Sequence, residues 1–195
     1  MATGFGGAVK LTGETEYKKA LKEITQNLKE VTSELKLVTA QYDKNDTSTE
    51  ALSAKSEVLT KRLEAQKEKV AVLKTQYKEM AAQYDKNKAK NEELTKKYEA
   101  EKSKLDQIEK TLGKTSKEYE EQAKVVDDLS GELKKSKTNQ EANTKALSDM
   151  RIQLNNAETD VAKTTREIDN LSKEMQDGAK AADDLSDNVE KTGDS

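Results

Sequence analysis

From Tyr17 to Tyr42 the apolar residues are Tyr17, Leu21, Ile24, Leu28, Val31, Leu35, Val38 and Tyr42, in alternating steps of four and three. That spacing is a heptad seam, with Leu21, Leu28, Leu35 and Tyr42 at position a and Tyr17, Ile24, Val31 and Val38 at position d. A chain that repeats it forms helices that bury one narrow stripe. Counting in sevens from Leu21, the frame runs on without a shift to Val189, through Leu63, Val70, Tyr77, Leu105, Leu147 and Leu154 at a and Leu73 at d. All six tyrosines fall on it. A tyrosine ring packs its face and leaves its hydroxyl near water, so they read as core spacers.

Composition agrees with helices of this kind and argues against a globule. Of the 195 residues only 32% are apolar and 37% are charged, whereas a compact domain carries roughly 45–50% apolar residues. Disorder goes with high net charge and no periodicity; here the net charge is −3 and the period is strong. There is no proline to stop a helix. Absent cysteine excludes disulfides and thiol chemistry, and absent histidine removes the usual metal ligand and general base. The near-balanced charge predicts no stable nucleic-acid partner, and no apolar run is long enough for a membrane span. Met1 to Gly13 lacks the basic start and apolar core of a signal peptide, which predicts a cytosolic setting.

The expected organisation has three parts. Residues 1–13 form a glycine-rich leader with Gly4, Gly6, Gly7 and Gly13, extended or mobile because glycine disfavours helix. It is either a frayed terminus or a short docking peptide centred on Phe5, the only phenylalanine. Residues 14–189 form the heptad-repeat helical region, and 190–195 a disordered end. Polar residues interrupt the seam at Asn45, Thr49, Asn87, Asn91, Thr115, Ser136, Gln140 and Asn143. Such residues weaken a coiled coil locally while fixing register and strand number. Two stretches read as breaks, 43–49 and 111–116: Thr47 with Glu50 and Thr115 with Glu118 are spaced as capping boxes, and Gly113 stands where a C-cap glycine belongs. Ala40-Gln41-Tyr42-Asp43-Lys44-Asn45 recurs as Ala82-Gln83-Tyr84-Asp85-Lys86-Asn87, and Asp127-Asp128-Leu129-Ser130 as Asp183-Asp184-Leu185-Ser186, both at whole multiples of seven.

The fold class is therefore all-α, with long coiled-coil helices arranged either as a continuous rod or as antiparallel hairpins. Leucine at a with β-branched residues at d, as in Leu21/Ile24, Leu28/Val31 and Leu35/Val38, favours three or more strands. A continuous helix would measure ~260 Å at 1.5 Å per residue. Basic e and g positions early in the chain would repel their copies in a parallel bundle. Folding back at Gly113 would instead set Lys104 near Glu118, Lys90 near Glu132, Arg62 near Asp160 and Lys55 near Glu167.

No catalytic constellation, cofactor motif or metal site is legible. The carboxylates lie beside lysines on solvated faces, and adjacent aspartates such as Asp127-Asp128 point apart on a helix. Leu112-Gly113-Lys114-Thr115 lacks the first glycine and preceding strand of a phosphate-binding loop, so a helix turn explains it.

Gly4-Phe5-Gly6-Gly7-Ala8-Val9-Lys10-Leu11-Thr12-Gly13-Glu14, followed by Glu16-Tyr17-Lys18-Lys19-Ala20-Leu21-Lys22-Glu23-Ile24, resembles the N-terminal region of tail tape measure proteins of long-tailed bacteriophages and prophages of Gram-positive bacteria. Gln26-Asn27-Leu28-Lys29-Glu30-Val31 and Tyr42-Asp43-Lys44-Asn45-Asp46 continue the likeness; beyond roughly fifty residues only generic heptad helix remains. The family is usually far longer, which implies an N-terminal part or a short member. The resemblance implies a non-enzymatic structural protein, several extended helical copies of which lie in the tail lumen and set tail length. Its implied partners are itself, the tail tube protein and, in the host cytoplasm during assembly, tail assembly chaperones. The alternative reading is a cytosolic coiled-coil scaffold or tether.

Overall fold

With no proline between them and glycine confined to a few positions, residues from Glu14 onward can hold helix almost without interruption. The computed structural model describes the backbone of residues 14–42 and 46–193, and the side chains of residues 15–42 and 46–184. The fold is all-α: α1 spans Glu14–Gln41 (28 residues), α2 Thr49–Leu112 (64 residues) and α3 Lys117–Gly193 (77 residues), with no strand among the described residues. The leader of residues 1–13, with Phe5, lies outside the described residues, as do Asp43, Lys44 and Asn45. Helix α3 continues past Val189 to Gly193, where the sequence reading expects a disordered end; 190–192 contain no breaker, and the helix reaches the next glycine.

Both helix starts sit one residue later than the capping boxes predict. At α2 the Ser48 Oγ accepts the Ala51 N–H at 3.3 Å, and the Ser48 carbonyl accepts from Leu52 at 3.0 Å. At α3 the Ser116 Oγ accepts from Tyr119 N at 3.2 Å. Serine thus replaces Thr47 and Thr115 as the cap, and Glu50 and Glu118 fall within the first turn. There their charge opposes the positive end of the helix dipole instead of closing a box. Asp46 Oδ1 accepts the Ser48 N–H at 2.9 Å, and its bonds to Ser48 hold its carboxyl below the usual value.

Between α2 and α3 the chain reverses at Gly113, whose φ of +83° is open to glycine and strained for other residues. Its N–H donates to the Glu109 carbonyl at 3.1 Å, the single bond of an αL cap. Lys114 reaches Glu109 Oε1 at 3.2 Å across the same end, which holds the Lys114 ammonium above its ordinary range.

The chain divides into two compact units. Thr75–Arg151 forms a two-helix unit from the end of α2 and the start of α3. Its contacts descend α2 from Glu101 to Asn91 as they ascend α3 from Gln122 to Ser136, so the two helices run antiparallel. Thr15–Lys74 and the residues from Ile152 onward form a three-helix unit from α1, the start of α2 and the rest of α3. Here Lys61 Nζ meets Glu34 Oε1 of α1 at 2.9 Å and Lys74 Nζ meets Glu158 Oε1 of α3 at 2.8 Å. The Glu34 carboxylate is the main cause of a raised Lys61 pKa. These pairs are exposed and fix orientation more than stability.

Candidate functional site

Candidate functional residues on such a chain are those that helices use to choose their neighbours. In the three-helix unit Ile24, Val31 and Leu73 are buried, and Tyr17, Leu21, Leu28, Leu35, Val38, Tyr42, Leu63, Val70 and Leu154 are half-buried. In the two-helix unit Tyr77, Leu105 and Leu147 are half-buried. Burial lifts the Tyr17 phenol above its ordinary pKa.

The two-helix unit gathers polar side chains into its interior. Ser136 Oγ donates to Asn91 Oδ1, and Asn91 Nδ2 reaches the Ser136 carbonyl at 3.4 Å. Gln83 Nε2 donates to Asn87 Oδ1 at 3.1 Å. Nearer the turn, Gln122 Nε2 donates to both the carbonyl and the carboxylate of Glu101, at 3.0 and 2.8 Å. Lys104 Nζ bonds Glu101 Oε1 at 2.8 Å, where the sequence reading pairs it with Glu118; the carboxylate one turn away on its own helix is nearer. Lys104 first and Gln122 second hold the Glu101 carboxyl below its ordinary value. Asn143 is fully buried with both amide atoms unpartnered, and Gln140 Oε1 is likewise buried without a partner. Of the other interrupting residues, Thr49 opens α2 exposed and Thr115 lies exposed in the turn.

The three-helix unit shows what the seven-residue frame leaves out. Ala51, Val58 and Ala65 of α2 are as buried as its d-series neighbours, and Val72 is half-buried. They form a second apolar row, one residue before Leu52, Leu59, Gln66 and Leu73, and it ends at exposed Glu79. Its spacing of seven was the signal available in the sequence. The same unit buries Gln66 and Thr164. Around Gln66 lies a cleft of about 110 Å³ lined by Leu28 and Thr32 of α1, Arg62, Gln66 and Lys69 of α2, and Ala157 and Asp160 of α3. Arg62 and Asp160, which the hairpin reading brings together, share this cleft. Gln66 is 5% exposed and its Oε1 has no partner.

Among the described residues no group of three or more histidine, cysteine or carboxylate side chains is placed to hold a metal ion, and no helix is long and apolar enough to cross a membrane. Comparison of the chain with protein-family models, curated proteins and solved structures finds no match in any of the three.

Proposed function

We propose that the chain is a non-enzymatic, self-associating coiled-coil protein, the N-terminal part of a tail tape measure protein that acts as a helical ruler within a phage tail. The observation that carries the coiled-coil reading is the interior stripe: Ile24, Val31, Leu52, Leu59, Leu73, Leu129, Met150 and Ala157, spaced by multiples of seven, are all buried, and a-position residues such as Leu21, Leu28, Leu63 and Val70 are half-buried. The tail role rests on the resemblance of residues 4–46.

Self-association is supported by the orphaned amides. Gln140 and Asn143 each have a buried polar atom that goes unpaired in the folded-back chain. A primary amide carries both donor and acceptor, so where the isolated folded-back chain opens into a parallel bundle of three or more copies inside the tail, each would meet its own counterparts. Against this stand the basic rows at e and g, which parallel copies would oppose; association of this kind strengthens as salt screens them. Tail tube protein and assembly chaperones are the further partners, and the tail lumen and the host cytoplasm the settings, on the same resemblance.

A helix rises by a constant step, so length along the chain converts to length in the particle. Deleting one ~42-residue repeat in frame from the parent protein shortens the tail by ~63 Å if that segment is fully helical in the particle. Electron microscopy of the deletion phage measures this directly, and unchanged tail length refutes the ruler.

A further inference from the structure

We infer that the cleft in the three-helix unit binds a protonated phosphate group, either inorganic hydrogen phosphate or the end of a phosphomonoester. The site goes beyond the ruler function and does not depend on it. Arg62, Gln66 and Lys69 stand at i, i+4 and i+7 on α2, which places them on one helix face, and all three line the same cleft. Arg62 and Lys69 are half-buried, and among the described residues neither has an ion-pair partner. Two such cations lining one partly open cleft attract an oxyanion.

The remaining wall says which oxyanion. Gln66 Oε1 is buried and lacks a donor, and a fully ionised sulfate offers none. A phosphate that keeps one P–OH donates there while its ionised oxygens accept from Arg62 and Lys69. Asp160 on α3 lines the same cleft and repels a fully ionised group, which again favours the protonated one. The cleft, about 110 Å³ in volume, has room for one tetrahedral ion. Water alone would satisfy Gln66 but leave the two cations with only the one carboxylate of Asp160 to offset them.

The test is thermal unfolding of the full chain at matched ionic strength in chloride, sulfate and phosphate. Phosphate is expected to raise the midpoint above its sulfate value by about 2–4 °C at concentrations some tenfold over Kd. The double variant R62Q/K69Q loses that increment, and D160N enlarges it. Methyl phosphate, whose last proton leaves near pH ~6, matches inorganic phosphate at pH 5.5 and falls behind it at pH 8 if the group bound is the protonated one. A methyl phosphate shift at pH 5.5 assigns the site to phosphomonoesters as well, and its absence assigns it to the free ion. Equal shifts in sulfate and phosphate, or an increment that survives in R62Q/K69Q, overturn the proposal. Should the double variant fail to fold, 31P line broadening of inorganic phosphate by the unmodified chain replaces it; sharp, unshifted lines overturn the site.

Discussion

The two units use the same two long helices with different numbers of neighbours. In the three-helix unit α2 buries two adjacent rows, Ala51/Val58/Ala65 and Leu52/Leu59/Leu73, because α1 and α3 both cover it. In the two-helix unit α2 has only α3 beside it, its second row gives way to the exposed Glu79, Lys86, Glu93, Ala100 and Gln107, and its interior admits Asn87, Asn91 and Glu101. Each added helix neighbour thus demands another apolar row. Where the neighbour is missing, the seam admits polar groups, half-buried at Asn87, Asn91 and Ser136 and fully enclosed at Asn143. Leu73 at 0% exposure and half-buried Leu105 show the difference on one helix.

Truncation at those two positions tests the comparison most severely. Leu73→Ala removes contacts from a fully enclosed site and is expected to destabilise its unit by about 2–5 kcal/mol. Leu105→Ala removes a side chain already partly in water, with an expected loss of about half that or less. Urea unfolding of both variants checks the order, and equal losses would mean that the two-helix unit is as well packed as the other.

A smaller effect of opposite sign belongs to the polar interior. Asn143→Leu replaces two buried, unpartnered amide atoms with an apolar group of similar size, and is expected to stabilise the two-helix unit by about 1–3 kcal/mol. Destabilisation in the same urea experiment would show that Asn143 holds a partner, such as an ordered water, that the hydrophobic residue displaces.

How much of this was legible in the sequence depends on what each feature requires. The three-and-four spacing needs no partner to be read, so Ile24, Val31 and Leu73 are visible as interior residues from the chain alone. Gly113 was legible because a helix-start signal, Thr115 with Glu118, follows it directly; Gly131 and Gly178 have no such signal beside them and lie inside α3. The cap residues were missed by one position because serine and threonine stand side by side at both sites, Thr47-Ser48 and Thr115-Ser116, and the spacing to glutamate favours the wrong one. The row Ala51, Val58, Ala65, Val72 was present as a period of seven, but small alanines make a weak hydrophobic signal. Its meaning also needs the knowledge that α1 lies against α2. Gln66 follows the same logic: on the frame it is one more polar residue, and only the meeting of three helices gives it a cleft shared with Arg62, Lys69 and Asp160.

The reversal at Gly113 is the claim on which both units rest, and one distance tests it. The chain has no cysteine, so single cysteines at Lys90 and Glu132 carry spin labels without background. With α2 and α3 antiparallel in the two-helix unit, the labels are expected on neighbouring helices, at about 10 Å between helix axes plus the reach of the labels. A distance near 63 Å, the span of about 42 helical residues, would mean that the helix continues through Gly113 and would contradict the account.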